Sequence, residues 1–325
     1  QNRSPPVVIA PKTGTRHMKL NRDQKRKLRD FLAKYGIVGD ASHANGQYQV
    51  AYRKTTFTAP NGVEETHFPP ANALDRPATR MVLEGKYHEP ETHNIVEWLF
   101  KRRPGDMISA GTFFGDMLPS WSAKCPGTVY AFEPVTDSYV LARLCQMEND
   151  LDNVILFNAA LSGEIGSARI RTERPRDGRS TGGGARIHKK GDQIITTMSM
   201  DSLNLQNLSV MQLDLEGHEK VAMPSARETI QRCKPVILLE DTRQQCYEIM
   251  ADMMGYVLVG ELPGIYVWVH PDEADELRTY VEAHNDGYKR PQRQASTRVR
   301  DYYPGSNDEE TEKAKLAAGG KRQRN

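Results

Sequence analysis

From Gly105 onward, short and nearly continuous apolar runs alternate with amphipathic stretches. The runs predict strands over residues 107–109, 128–132, 154–157, 210–213 and 236–239. The stretches between them predict helices over 116–124, 137–149, 219–231 and 244–254, with Gly255 placed to end the last. Such an alternation builds a parallel sheet covered by helices on both faces. The closing stretch YVLVGELPGIYVWV differs, because its two apolar runs flank Leu262-Pro263-Gly264, a turn too short for a crossover helix. It predicts an antiparallel hairpin.

The expected fold is therefore α/β: a doubly wound, mostly parallel, seven-stranded Rossmann-like sheet ending in an antiparallel hairpin, preceded by an N-terminal helical and irregular extension. In that extension, Leu28, Phe31, Leu32 and Tyr35 fall at helical spacing, with Asn21 able to cap and Gly36 to terminate. Residues 40–80 are rich in Asn, Pro, Thr and Gly and read as an irregular accessory region with a strand-like stretch over 47–52; a further helix is expected over 91–102. The resulting division is a basic tail over 1–18, an accessory region over 19–80, the main domain over 81–272 and a largely flexible C-terminal extension over 273–325. One segment, TERPRDGRSTGGGARIHKKGD over 172–192, has almost no apolar side chains and reads as a loop ahead of a strand at MDSL.

Composition narrows the class. With 38% hydrophobic and 26% charged residues, and no apolar run near the length of a membrane span, a soluble domain is expected. No stretch has the layout of a secretory signal, so the expected location is the cytoplasm, or an organelle after loss of a presequence. Cys125, Cys145, Cys233 and Cys246 are scattered, which gives neither a metal knuckle nor a disulfide framework and points to reduced structural thiols. The net charge of +2 conceals +7 over residues 1–30 and +4 over 286–325, leaving −9 for the body. Basic arms on an acidic body can reach nucleic acid or an acidic protein partner, or simply be solvated tails. Oligomeric state has no signature here.

Chemistry concentrates at the ends of the predicted strands. In GDMISAGTFFGD a strand runs into Gly111, Thr112, Phe113 and Gly115, with Asp116 at the start of the next helix; glycines there let the backbone approach a ligand and leave helix N-terminal amides to its polar groups. Eighteen residues beyond Gly115, strand TVYAF delivers Glu133, where an acid can accept both hydroxyls of a nucleoside ribose. Asn158 in FNAAL stands just past the third strand, where an amide can pair with an adenine edge. In VMQLDLEGHEK, Asp214 ends the fourth strand, and Glu216, Gly217, His218 and Glu219 lead into a helix. That edge of an open sheet borders the ligand crevice, although acids in a first helical turn also serve as dipole partners.

The segments GDMISAGTFFGD, YAFEP, NAAL, MDSL and QLDLEGHE, in this order and spacing, resemble the FkbM family of S-adenosylmethionine (SAM) dependent methyltransferases over roughly residues 80–270. The terminal hairpin agrees by fold analogy. The resemblance implies SAM as cofactor and methyl transfer to a hydroxyl of a sugar, lipid or other small molecule. Many members carry an acid shortly before the first glycine; this chain has Ser109 and Ala110, and Asp116 is an acid able to supply the charge from the far side of the turn.

Transfer from a sulfonium needs alignment and exclusion of water more than acid-base machinery. A hydroxyl acceptor still gains from a base, for which Asp214, Glu216 and His218 are the candidates. Phe113 and Phe114 either line the cofactor channel or pack in the core. The segment 172–192 is expected to close over the acceptor on hinges at residues 182–184, and Arg171, Arg174, Arg176, Arg179, Arg186, Lys189 and Lys190 in or beside it suit an anionic acceptor. The rival readings are a methyltransferase-like scaffold without catalysis, motivated by Ser109, and an RNA methyltransferase, motivated by the basic tails. No metal site is expected.

Overall fold

The computed structural model describes residues 37–39, 50–175, 178–241 and 245–285. The helix expected over residues 21–35 and both basic tails lie outside them.

The chain opens with β1 (Ile37–Gly39) paired in parallel with β2 (Val50–Tyr52), followed by the hairpin β3 (Thr55–Thr58) and β4 (Glu64–His67). Helices α1 (Pro77–Leu83) and α2 (Pro90–Phe100) follow, each with proline in its first turn, where the missing N–H costs nothing. The region expected to be irregular thus contains regular elements. They have little core of their own: Val50, Phe68, Ala73 and Val82 bury themselves against Phe113, Phe114, Leu141 and Cys145 of the main domain.

The main domain runs β5 (Asp106–Ala110), α3 (Leu118–Lys124), β6 (Val129–Phe132), α4 (Thr136–Glu148) and β7 (Val154–Phe157). An excursion follows: β8 (Ala160–Leu161), β9 (Gly166–Arg171), β10 (Arg186–Ile187) and β11 (Gln193–Met198). The chain returns through β12 (Leu208–Leu213), α5 (Glu219–Ala222), α6 (Arg227–Cys233) and β13 (Val236–Leu239), and closes with the hairpin β14 (Val257–Leu262) and β15 (Ile265–Val269), then α7 (Ala274–His284).

Seven strands form one sheet in the order β14-β15-β13-β12-β5-β6-β7. Neighbours from β13 to β7 are parallel, while β15 is antiparallel to both β13 and β14. The expected Rossmann-like sheet with its terminal hairpin is what the chain forms. Its central strands are mostly apolar because both faces are covered, with Ser109, Ser209 and Gln212 as buried polar exceptions. Met107, Val210 and Leu238 face a layer with Leu99 of α2 and Trp121 of α3, whereas Ile108, Met211 and Leu239 face a layer with Ala222 of α5 and Ile230 of α6. The order reverses between β5 and β12, so the crevice beyond their C-terminal ends lies at the topological switch point.

Four expectations are corrected. The helix over 219–231 is broken by a 3-10 turn at Met223–Ala226, since Pro224 has no N–H to continue an α-helix. MDSL is a 3-10 turn over Asp201–Leu203 rather than a strand, and the Asp201 carboxylate accepts the amides of Glu228 and Thr229 at the start of α6 (3.1 and 2.8 Å). Segment 172–192 is not a plain loop: it carries β10, and its flanks β9 and β11 pair in a second sheet of order β10-β9-β11-β8. Ile170 and Ile195 of this sheet pack on Val135 and Ala160. Finally, the stretch after residue 273 begins with α7, whose Leu277 and Val281 are buried beside β14.

Candidate active site

The turn after β5 is built for close backbone approach. Gly111 has φ +91°, and a Cβ there would stand 2.1 Å from the Asp214 carbonyl oxygen, which no side chain tolerates. Phe113 adopts φ +51°, rare for a bulky residue. It is held there by its N–H, which donates to Glu133 Oε2 at 2.7 Å, while the Val135 N–H donates to Glu133 Oε1 at 2.8 Å. The Gly111 and Thr112 amides both donate to the Phe132 carbonyl at 3.2 Å, and that of Gly115 to Thr112 at 2.9 Å. The amides of this turn are thus taken up within the protein, so the glycines serve proximity rather than donation to a ligand. Behind the turn, the Cys145 thiol donates to the Gly115 carbonyl and sits 3.9 Å from His67 Nδ1, whose Nε2 lies 3.3 Å from Glu65. This Cys-His-Glu row is buried, and burial pushes the thiol well above its ordinary range, so it is a brace between β4 and the turn, not a nucleophile.

Two compartments meet at the turn. The first is mostly apolar, with Val135, Ala159, Leu161, Ile170, Ile187 and Leu215 among its walls and Glu133, Asp214 and His218 at its edge. The second is a polar cavity of about 290 Å³ containing Ser109, Thr112, Asp116, Gln212 and Asp214, and reaching Arg76, His88, Glu89 and Glu240. Gly111, Glu133, Gly183, Asp214 and Glu216 border both.

The electrostatics follow from burial. Glu133 is 5% exposed, and burial pushes its carboxyl up to about 8 against the pull of its two amide donors. Asp116 is raised by burial too, partly opposed by His88 and His67. Asp214 is raised well above the carboxylate range by burial and by Glu240, with which it shares a hydrogen bond. Ser109 forms a neutral pair, its hydroxyl donating to Gln212 Oε1 at 2.8 Å.

Of the residues expected at the site, Gly111, Glu133 and Asp214 converge on both compartments, and Thr112, Phe113 and Asp116 line the polar one. Gly115 stands behind the turn, where a Cβ would press on Ala142 at 3.1 Å. Asn158 is exposed and donates its amide to the carbonyls of Glu133 and Pro134 (2.9 and 3.2 Å), which places it under the turn after β6 rather than on the pocket wall. His218 lies in the apolar compartment 3.0 Å from Ser162 Oγ, and burial holds it down to about 4, so it is uncharged at neutral pH. Glu216 is engaged by Arg186 (2.9 Å) and lies 3.9 Å from Arg76. Phe114 is wholly buried core, and Glu219 accepts the Leu215 and Gly217 amides as a turn brace. Arg76, Glu89, Gln212 and Glu240 were not singled out from sequence. Glu240 ends β13 just as Glu133 ends β6, so the strand-end rule that found Glu133 would have found it; nothing in the periodicity marks Glu89 or Arg76.

Segment 172–192 does reach the cleft. Gly183 lies against the Phe113 ring, where a Cβ would meet it at 3.4 Å, and Gly182 sits over Arg76 and Ala73. Arg186 holds Glu216 and Arg174 holds Asp75 at 3.0 Å, tying the excursion to the turn after β12 and to the accessory region. Arg176 lies outside the described residues. Among the described residues, no group of His, Cys, Asp and Glu forms a metal site and no helix is long and apolar enough to cross a membrane.

No curated protein matches the chain significantly. Among solved structures, the chain is similar to a methyltransferase FkbM from Methylobacillus flagellatus KT, at 14% identity over 56% of this chain and 50% of that one, with a TM-score of 0.39. The match therefore spans half the length of that protein. It is also similar to magnesium protoporphyrin IX methyltransferase (ChlM) from Synechocystis PCC 6803 with bound SAM, at 11% identity over 59% and 83% of the two chains and a TM-score of 0.35. A SAM dependent methyltransferase from Aquifex aeolicus matches at 14% identity over 60% and 95%, with a TM-score of 0.33. The model of the methyltransferase FkbM domain matches residues 112–289, more than half of the sequence, and the chain belongs to that family.

Proposed function

We propose that the chain transfers a methyl group from SAM to a hydroxyl of a small molecule, sugar or lipid. The observation that carries this reading is the joint compartment at the switch point: an apolar pocket and a polar cavity that meet at Gly111, Glu133 and Asp214. These residues fit a cofactor with a flat apolar base, a diol and a charged amino-acid end. Val135, Ala159, Leu161 and Leu215 would enclose the base, and Glu133 would accept the ribose hydroxyls with the lone pairs that Phe113 and Val135 leave open. Once bound, SAM supplies a methyl carbon on a sulfonium, open to in-line displacement by the acceptor oxygen.

The remaining work belongs to the protein. Asp214 borders both compartments, and because burial and Glu240 raise its carboxyl, its ionised form is a stronger base than an exposed aspartate; it is the residue placed to take the acceptor proton. Glu216 and His218 are less suited, the first being paired with Arg186 and the second standing in the apolar pocket. The excursion over 172–192 shields the junction from water through Gly183 and Phe113. Since Arg186 and Arg174 are spent on Glu216 and Asp75, an anionic acceptor has less to recommend it than a neutral hydroxyl.

The test is turnover: incubation with methyl-labelled SAM and a panel of hydroxylated sugars, lipids and small metabolites should label an acceptor with wild-type protein and not with Asp214→Asn. Label on an amine or on RNA alone would replace the hydroxyl reading.

A further inference from the structure

Acidic side chains outnumber basic ones in the polar cavity. Glu89, Asp116, Glu133, Asp214, Glu216 and Glu240 line it, against His88 and the guanidinium of Arg76, which leans on Glu216. Glu133 holds two amides, and Asp214 and Glu240 share a hydrogen bond that needs only one proton. Glu89 differs from these. It precedes α2 in a left-handed backbone conformation, φ +52°, yet its side chain does not cap the helix. Oε2 accepts the Thr92 hydroxyl at 3.2 Å, and Oε1 lies against Gly264, where a Cβ would stand 3.3 Å away. Among the described residues no Lys or Arg forms an ion pair with it. Burial and the nearby Glu240 push its carboxyl up to about 7, so a cation seated beside it would favour its ionised form. The same cavity is lined by Trp121, wholly buried, whose indole N–H has no partner among the described residues. A cavity carboxylate that holds a hydroxyl but no cation is the complement of an ammonium group.

We propose that Glu89 is the cofactor-positioning residue that seats the α-ammonium of SAM. This rests on the cofactor reading above. The start of α2 thereby becomes part of the cofactor site.

Calorimetry with three probes tests it: S-adenosylhomocysteine, its deaminated analogue, and 5′-methylthioadenosine, which keeps the nucleoside but lacks the amino-acid end. Wild-type protein should prefer S-adenosylhomocysteine over the deaminated analogue by about 30-fold, the scale of one charge-assisted hydrogen bond. In Glu89→Gln that preference should shrink to about threefold or less, with 5′-methylthioadenosine binding unchanged. The wild-type comparison needs no variant, so a folding defect in Glu89→Gln cannot rescue the idea. Equal wild-type affinity for the amine and deaminated forms overturns the proposal, as does a Glu89→Gln protein that keeps the full preference or loses all three ligands alike. If wild-type protein binds 5′-methylthioadenosine but Glu89 proves indifferent, only this proposal falls; if it binds none of the three, the cofactor reading falls first.

Discussion

If Glu133 holds the ribose as proposed, ligand binding should depend on pH in a way that an exposed glutamate would not produce. To accept two ribose hydroxyls it must be ionised, but burial holds its carboxyl up to about 8 in the free protein, from an ordinary value of 4.5. At pH 6 the free site therefore carries a proton that binding has to expel. Affinity for 5′-methylthioadenosine should rise about tenfold per unit from pH 6 to 8 and then level off, a span of about 100-fold or ~2.7 kcal/mol. The neighbouring groups do not reverse this: Asp116 and Asp214 are also raised by burial, so their ionisation broadens the transition, and His218 stays neutral because burial holds it down to about 4. The same shift has a stability consequence of defined sign. A carboxyl raised on folding contributes stability that is fully present below the unfolded value and lost as pH rises through the folded one. Wild-type stability should thus fall between roughly pH 4.5 and 8, by up to about 5 kcal/mol from this group, and Glu133→Gln should lack that part of the slope. Calorimetry in two buffers of different ionisation enthalpy near pH 6.5 should register release of close to one proton per ligand, and Glu133→Gln should bind at least ~30-fold more weakly at pH 8. Affinity that is flat from pH 6 to 8, or a Gln variant that binds as wild type, would refute the reasoning.

Other perturbations separate the remaining parts. Asp214→Asn should leave nucleoside affinity within about threefold and cut turnover by about 100-fold or more, measured as label transferred from SAM; equal losses in both would make it a binding residue. Gly111→Ala should lower unfolding free energy by ~2 kcal/mol or more in a urea titration, because its Cβ meets the Asp214 carbonyl at 2.1 Å. Arg186→Ala breaks a half-exposed contact to Glu216, so thermal stability should shift by less than ~1 kcal/mol, while the acceptor KM rises if the excursion closes over the acceptor.

The sheet was legible because its order is written in apolar runs that only a doubly covered strand tolerates, such as residues 236–239. Glu133 and Asp214 were legible for the same reason, each marking where such a run stops at the ligand edge. Tertiary contacts decided what could not be read. The strand β10 lies in the Arg- and Gly-rich segment that reads as loop, yet it pairs with β9, in which Ile170 alone is buried. Asn158 occupies the expected place but spends its amide on the turn below it, a use identical in sequence to base recognition. Arg76 belongs to an accessory region with no motif and reaches the cavity because that region packs on Phe113 and Phe114, while Glu89 stands just ahead of α2, where no pattern marks it.

A crystal structure of the full chain with S-adenosylhomocysteine tests the central claim most directly. The account predicts the adenine between Val135, Ala159 and Leu161, both ribose hydroxyls on Glu133, and the amino-acid end in the polar cavity beside Glu89. A nucleoside bound elsewhere, or ribose hydroxyls that do not touch Glu133, would contradict it.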